Sequence, residues 1–253
     1  MWIALSVVVL LVHLAVHEAA HALALRRLGG NIKEAGLGLP FWPRLRTQVM
    51  VPSRDRSQGP RPLTLSLSPW ILGAYVEPDD ASLALLERAS YRDRAWFAGA
   101  GVVANLLLGL STFAVLLVGH GRYLSAVILV AVGVLVWVGR KLVTAAMPVL
   151  GIAILVWLVV ALAGSLGEAN GPVGTARWLA ETNGLESLLI LATELGLGLA
   201  AVNCIPIFPF DGGRVADAAL TDLFGAKVSG RFRSATGVFA AVLILYSLVS
   251  DWL

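Results

Sequence analysis

Two histidines and a glutamate occur together inside the apolar N-terminal segment, as His17-Glu18-Ala19-Ala20-His21. On a helix, positions i and i+4 share one face, so His17 and His21 lie about 6 Å apart along the axis. Two imidazoles at this spacing can bind one metal ion, and the carboxylate of Glu18 can take a proton from water at that metal. Because such groups are costly to place in hydrocarbon, the pattern indicates a functional metal site.

A candidate for a further ligand, Asp211, follows an apolar run that two prolines interrupt. Pro206 and Pro209 lack an amide donor and therefore end a helix. Irregular backbone at membrane depth occurs only where it is buried in protein or lines a wet cavity. A catalytic zinc bound by two histidines needs a third protein ligand and an open position for water. Among the residues in apolar parts of the chain, Asp211 is the best candidate for that ligand.

The composition is that of a membrane protein. Of the 253 residues, 58% are hydrophobic and 14% are charged, whereas a soluble domain is nearer half apolar and a quarter charged. The mean hydropathy is +0.81. We predict an all-α polytopic membrane protein that forms a single integral-membrane domain over residues 1–253. The single cysteine, Cys204, excludes an intramolecular disulfide.

About six apolar segments are long enough, or nearly long enough, for the ~20 residues that a bilayer helix needs. They cover residues 2–25, 95–118, 124–139, 147–165, 185–205 and 235–250. The third is short and the fourth begins at Pro148, so this pair, within an apolar hairpin over 119–166, could be tilted or partly re-entrant.

The basic residues sort to one side of these spans. If the N-terminus is outside, segments 26–94, 140–146 and 206–234 are inside and hold 17 of the 19 Lys and Arg residues. The positive-inside rule therefore predicts an outside N-terminus and an active site towards the cytoplasmic side. A prokaryotic plasma membrane is the natural location. Because the excess of Lys and Arg lies on the inner side of the lipid bilayer, the positive net charge needs no nucleic-acid partner to explain it.

Residues 31–76 are the part of the chain predicted not to be helical. Gly29-Gly30 ends the first helix. Residues 32–39 and 63–68 alternate between apolar and polar positions, which predicts a small β-hairpin or sheet with a polar, proline-rich connector at 52–62.

The segment that follows leads back to the membrane. Residues 70–76 are apolar and contain a glycine, so we expect them at the membrane interface. Asp79 and Asp80 then precede a helix predicted over 81–94, which they can cap.

Four blocks, in order, resemble the site-2 protease family of intramembrane zinc metalloproteases. The blocks are His17-Glu18-Ala19-Ala20-His21, Ala98-Gly99-Ala100-Gly101-Val102-Val103-Ala104-Asn105, Gly171-Pro172-Val173-Gly174 and Asn203-Cys204-Ile205-Pro206-Ile207-Phe208-Pro209-Phe210-Asp211-Gly212-Gly213. The resemblance extends over most of the chain. In the second block, Gly101 stands where the family has a proline.

The resemblance implies a role for each matching residue. One zinc ion would be bound by His17, His21 and Asp211, and Glu18 would be the catalytic acid and base. Asn203 and Asn105 occupy positions where the family has asparagines that hold the substrate or the reaction intermediate. The implied activity is cleavage of single-span membrane proteins in regulated intramembrane proteolysis.

The resemblance also bears on the accessory regions. Residues 31–76 would be a membrane-associated β-hairpin that offers its edge to an unwound substrate segment. The PDZ insertion of many bacterial members is expected to be absent, because residues 119–166 are mostly apolar. We also expect no nucleotide-sensing domain after the last span.

Two other classes of function remain open from the sequence. A metal-ion transporter could use His13, His17, His21, Glu194 and Asp211 as a ladder of ligands, although these cluster at one depth. A non-catalytic membrane scaffold derived from the protease fold is the second alternative, although it would not need the base Glu18. The roles of His13 and Glu194, the substrate and the oligomeric state are open at this point.

Overall fold

The computed structural model of the chain describes residues 2–38, 44–52, 59–68, 73–153 and 184–250, with side chains as far as residue 242. Within these residues the elements are α1 (Trp2–Leu28), β1 (Ile32–Leu37), β2 (Leu45–Val51), β3 (Arg61–Leu67), β4 (Ala74–Pro78), α2 (Asp80–Arg88), α3 (Tyr91–Gly119), α4 (Tyr123–Val138), α5 (Arg140–Ala145), α6 (Gly184–Cys204), α7 (Asp211–Phe224) and α8 (Ala226–Ser250). Residues 147–153 are also helical. The architecture is mostly helical with a small sheet after the first helix.

Three helices, α1, α3 and α6, are long and apolar enough to cross a membrane, and each corresponds to a predicted span. The fourth apolar helix, α4, has 16 residues and is shorter than the ~20 residues that a bilayer needs. The predicted span 147–165 lies largely outside the described residues, and 235–250 lies within α8. The described part of the chain therefore contains three candidate membrane helices, whereas the sequence predicts about six spans.

The central helix is α3, which packs against α1, α4, α5, α6 and α7. It approaches α6 most closely at a pair of glycines, where a Cβ on Gly196 would lie 2.6 Å from the Cα of Gly109. Small residues allow membrane helices to approach and gain dispersion contacts. Small buried side chains, including Ala98 and Val102, continue the packing towards the N-terminal end of α3, where they meet buried residues of α6 and α7.

The strands form one sheet in the order β2-β3-β1-β4. The two predicted strands pair in parallel, with Glu34 opposite Thr64, so they form a sheet and are not the two arms of a hairpin. The antiparallel partner of β3 is β2, a strand that the sequence prediction lacks. Residues 74–78, which lie partly in the segment expected at the membrane interface, instead form strand β4 beside β1.

One face of the sheet holds a buried carboxylate, that of Glu34. Tyr75 donates a hydrogen bond to it, and Arg44 and Arg46 each form an ion pair with it at 3.2 Å. Burial alone would raise the pKa of Glu34, but the hydrogen bonds from Tyr75 and Ser66 and the two arginine charges outweigh burial and hold this pKa below its usual 4.5. The carboxylate thus links β1 to the edge strands β2 and β4.

The helix ends follow from local sequence signals. Gly29, with φ of 104°, ends α1 in a conformation that favours glycine. The side chain of Asp79 accepts a hydrogen bond from the Ser82 amide and caps α2, as its position predicts. The helix predicted over 81–94 is wrong in its extent, because Ser90 caps a second helix that begins at Tyr91.

Candidate metal centre

Three buried side chains place one ligand atom each at a common point. The Nε2 atoms of His17 and His21 are 3.2 Å apart, and the Oδ2 atom of Asp211 lies 3.1 and 3.2 Å from them. The residues are 8%, 4% and 4% exposed, respectively. The two histidines come from one face of α1, and the aspartate is the first residue of α7. In the described part of the chain, these three form a group that could hold a metal ion.

The donor atoms fit a zinc ion. Ligands at 2.0–2.1 Å from a tetrahedral zinc lie about 3.3–3.4 Å apart, close to the observed 3.1–3.2 Å separations. The fourth corner of such a tetrahedron is left for water or substrate. The buried Oδ2 atom of Asp211 has no hydrogen-bond donor among the described residues. A buried carboxylate oxygen in that position is stabilised by a cation.

The ring of His21 is held by the backbone of α3. Its Nδ1 atom lies 2.7 Å from the carbonyl oxygen of Phe97, which can only accept a hydrogen bond. The hydrogen is therefore on Nδ1, and Nε2 keeps its lone pair for a metal. The Phe97 ring also contacts His21 edge-on, at a centroid separation of 5.9 Å.

The ring of His17 is held by Asn105, also on α3. The Nδ2 atom of Asn105 lies 3.0 Å from His17 Nδ1, and the asparagine is 1% exposed. If Nε2 binds a metal, Nδ1 carries the hydrogen, and a half turn of the carboxamide brings Oδ1 to the position of the acceptor. Asn105 is thus placed to orient a ligand.

A glycine makes room for the same ring. A Cβ atom on Gly101 would lie 2.5 Å from His17 Nε2. This position departs from the proline of the family pattern, and in this chain the absence of a side chain lets α3 approach His17. The sequence alone gives no sign of this contact, nor of the role of the Phe97 carbonyl, because a backbone oxygen has no residue-type signature.

The link before Asp211 has the form that its prolines predict. The helix α6 ends at Cys204, and Pro206 and Pro209 lie in the non-helical residues that precede α7. A Cβ on Gly212 would overlap the carbonyl oxygen of Cys204. The glycine after the aspartate therefore lets α7 begin directly against the end of α6, with Asp211 turned towards α1.

Two predicted site residues lie outside this hydrogen-bonded set. Among the described residues, neither Glu18 nor Asn203 forms a hydrogen bond or an ion pair with His17, His21 or Asp211. Glu18 follows His17 in the chain and is half-buried, and it has no hydrogen bond or ion pair among the described residues, so its carboxylate is available as a base. Asn203 is half-buried and donates to the Leu199 carbonyl of its own helix at 3.0 Å. Asn203 thus lies in the last turn of α6 and does not take part in the hydrogen bonds that hold the two histidines.

The remaining polar residues of the apolar helices do not join the cluster. His13 is buried, and its Nδ1 lies 2.9 Å from the Val9 carbonyl of the same helix, while its Nε2 has no partner among the described residues. Glu194 is exposed, and Cys204 is a buried free thiol. The ladder of ligands that a transporter would require is therefore not assembled from the described residues.

The comparison with known families agrees with this geometry. Residues 5–247 match Peptidase family M50, the site-2 protease family. Because the match covers nearly the whole chain, the chain belongs to this family. No PDZ domain is matched, and none of the curated proteins compared with the chain matches it. Family M50 consists of zinc metalloproteases, so membership and the apolar helices together indicate an integral membrane metalloprotease.

Proposed function

We propose that this member of Peptidase family M50 is a zinc endopeptidase that hydrolyses peptide bonds within or beside the transmembrane segments of single-span membrane proteins. The observation that carries the proposal is the buried set of His17, His21 and Asp211, whose donor atoms have the separations of a tetrahedral zinc site.

The depth of this set supports an intramembrane reaction. The helix α1 has 27 residues, enough to cross a bilayer. At 1.5 Å per residue, His17 lies about 22 Å from the first residue of α1 and about 16 Å from its last residue. The ligand atoms are therefore inside a span rather than at its end. A peptide bond that reaches them belongs to a segment that has entered the membrane or lies against it.

The residues of the chain divide the chemistry between them. A zinc ion held by this set would supply Lewis-acid chemistry, lowering the pKa of water so that the water can lose a proton and attack a carbonyl near neutral pH. Glu18 accepts one proton from the attacking water as the C–O bond forms. It delivers that proton to the amide nitrogen as the C–N bond breaks, which gives a carboxylic acid and an amine, and the acid then loses the second proton of the water to the amine or to solvent. Phe97 and Asn105 hold the two imidazoles in position during this transfer.

The sheet offers a place for an extended substrate. Strand β2 is at the edge of the sheet, and its residues are exposed except at Val51. An unpaired edge strand can accept a further strand through backbone hydrogen bonds. Strand addition suits proteolysis, because a substrate helix must be opened before its peptide bond is accessible. Asn203 is proposed to contact the substrate or the intermediate, on the strength of its place in the family motif.

We place the N-terminus outside and the metal centre towards the cytoplasmic side of a prokaryotic plasma membrane, in a pathway of regulated intramembrane proteolysis. The sorting of 17 of the 19 basic residues supports this orientation. In that arrangement α1, α3 and α6 cross in alternating directions, and the sheet and α7 lie on the inner side.

The test is cleavage of a panel of single-span test proteins by the purified chain in detergent. We expect Glu18→Gln to reduce cleavage by about 10²–10⁴-fold, the usual contribution of a general base, while zinc content stays near that of the wild type. Glu194→Gln is the matched control, since it removes an exposed carboxylate from another apolar helix and should leave cleavage unchanged. Equal cleavage by the wild type and Glu18→Gln would contradict the proposal.

A further inference from the structure

Two arginine side chains lie against one tryptophan ring where the C-terminal ends of α1 and α4 meet. The guanidinium carbon of Arg140 is 4.7 Å from the centroid of the Trp137 ring, and that of Arg27 is 5.8 Å from it. Arg140 also donates a hydrogen bond to the Trp137 carbonyl at 2.8 Å. Such cation–π contacts hold a guanidinium group in place without neutralising its charge. We call Arg27, Trp137 and Arg140 the arginine–tryptophan cluster.

The positive charge of this cluster is not balanced within the described part of the chain. Neither Arg27 nor Arg140 forms an ion pair among the described residues, whereas the adjacent Lys141 pairs with Asp93 at 2.8 Å. Because both guanidinium groups lie against the same ring, their charges are close together and repel each other. An anion beside the ring attracts both groups and offsets that repulsion. Guanidinium groups suit a phosphate in particular, since each can donate two parallel hydrogen bonds to it.

The cluster lies at the end of an apolar surface that faces outward from the helix bundle. On α1, Leu23 lies one turn before Arg27 and is 59% exposed. On α4, Val134 and Val130 lie one and two turns before Trp137 and are 56% and 57% exposed. Positions three or four residues apart share one face of a helix, so each apolar stripe leads to the cluster. Both helices pack against α3, so the two stripes flank the same central helix.

We propose that the arginine–tryptophan cluster binds the phosphate of an anionic phospholipid, whose acyl chains lie along the apolar surface between α1 and α4. Basic groups between membrane helices are a known form of site for such headgroups. A soluble phosphate or nucleotide lacks the chains that would contact Leu23 and Val134. The proposal requires these helices to lie in a bilayer, but it does not depend on the protease activity.

The net charge of the cluster makes the site selective among phospholipids. Two unpaired guanidinium groups attract a headgroup that has one net negative charge. A zwitterionic headgroup carries its own cation, which the two arginines repel. Since the bound lipid contacts both α1 and α4, it also holds α1, the helix that carries His17 and His21, in place beside α4.

The test compares phosphatidylglycerol with phosphatidylcholine of identical acyl chains, by native mass spectrometry of the full chain released from a neutral detergent. We expect one phosphatidylglycerol to bind at least about tenfold more tightly than phosphatidylcholine. Arg27→Gln and Arg140→Gln should each weaken phosphatidylglycerol binding about fivefold, because one basic residue near a lipid surface contributes about 1 kcal/mol. Phosphatidylcholine binding should change little.

Arg88→Gln is the matched control. Arg88 is an exposed arginine in the last turn of α2 and has no ion pair or ring contact among the described residues, so its variant should bind phosphatidylglycerol like the wild type. Circular dichroism confirms that each variant is folded. A phosphatidylglycerol with a diazirine on its acyl chain should crosslink to the peptides of α1 and α4 that contain Leu23 and Val134, which locates the bound lipid.

Three results would overturn the proposal. The first is equal affinity of the folded wild type for the two lipids. The second is a loss of phosphatidylglycerol binding in Arg88→Gln as large as in the two cluster variants, because the attraction would then come from the total charge. The third is displacement of phosphatidylglycerol by an equal concentration of glycerol phosphate, which would show a site for free phosphate. None of these results depends on zinc or on cleavage, so the proposed protease function stands or fails separately.

Discussion

Replacement of Asn105 by alanine is expected to weaken zinc binding while the helices remain folded. The side chain is 1% exposed and lies 3.0 Å from His17 Nδ1. Its removal leaves a buried ring N–H without a partner, which costs about 1–3 kcal/mol. We therefore expect zinc affinity to fall by about 10–100-fold, as is usual when the partner of a metal-binding histidine is lost.

The assay is competition for zinc between the purified protein and a chromophoric chelator at neutral pH. Asn105→Asp retains an acceptor for His17 Nδ1 and should keep most of the affinity, because carboxylates often orient metal-binding histidines. Ser111→Ala is the matched control on α3, since Ser111 is exposed and its hydroxyl donates to the Leu107 carbonyl of its own helix. Wild-type affinity in a folded Asn105→Ala protein would refute the reasoning.

Two further predictions concern the glycine beside the site and the carboxylate of the sheet. Gly101→Ala should lower zinc affinity by at least about tenfold in the same competition assay, because the added Cβ would displace the His17 ring. Gly198→Ala is the control, since a Cβ there meets no atom within 4 Å and zinc affinity should stay unchanged. Glu34 has a lowered pKa, so its stabilisation of the sheet is fully present above 4.5 and is lost as the pH falls through the lowered value. Hydrogen exchange of β1 and β2, corrected for intrinsic rates, should show reduced protection in the wild type below the lowered pKa, and Glu34→Gln should show that reduced protection across the whole pH range.

The three residues of the candidate metal centre could be singled out from the sequence because the signals that mark them are short-range. Helix periodicity places His17 and His21 on one face whatever else the chain does. The prolines before Asp211 end a helix through a missing donor, which is also a local effect. The structure brings these residues together from α1 and α7.

The partners of the ligands could not be predicted, because they depend on how distant helices pack. Asn105 and His17 are 88 positions apart in the chain, and only the close approach of α3 to α1 brings them into contact. The same limit applies to Phe97, whose contribution is a carbonyl oxygen. The sequence pattern can indicate that the Asn105 carboxamide is buried, but it cannot indicate that the carboxamide contacts His17.

The sheet shows a different limit. Residues 45–51 alternate only in part, since Thr47 shares a face with Leu45 and Val49 while Met50 shares the opposite face with Arg46, and the segment adjoins polar, proline-rich sequence. The parallel pairing of β1 with β3 brings together strands separated by more than twenty residues, which no local pattern encodes. Similarly, a single capping serine, Ser90, divides a helical pattern that appears continuous by periodicity.

The most direct test of the metal centre is X-ray absorption at the zinc edge of the purified, folded protein. The account predicts about one zinc per chain with nitrogen and oxygen ligands only, two of them imidazoles, at about 2.0–2.1 Å. In His17→Ala and in His21→Ala the zinc content should fall, and any zinc that is retained should show one imidazole ligand in place of two. A zinc-free protein, or a zinc ion with a sulfur ligand from Cys204, would contradict the assignment of His17, His21 and Asp211.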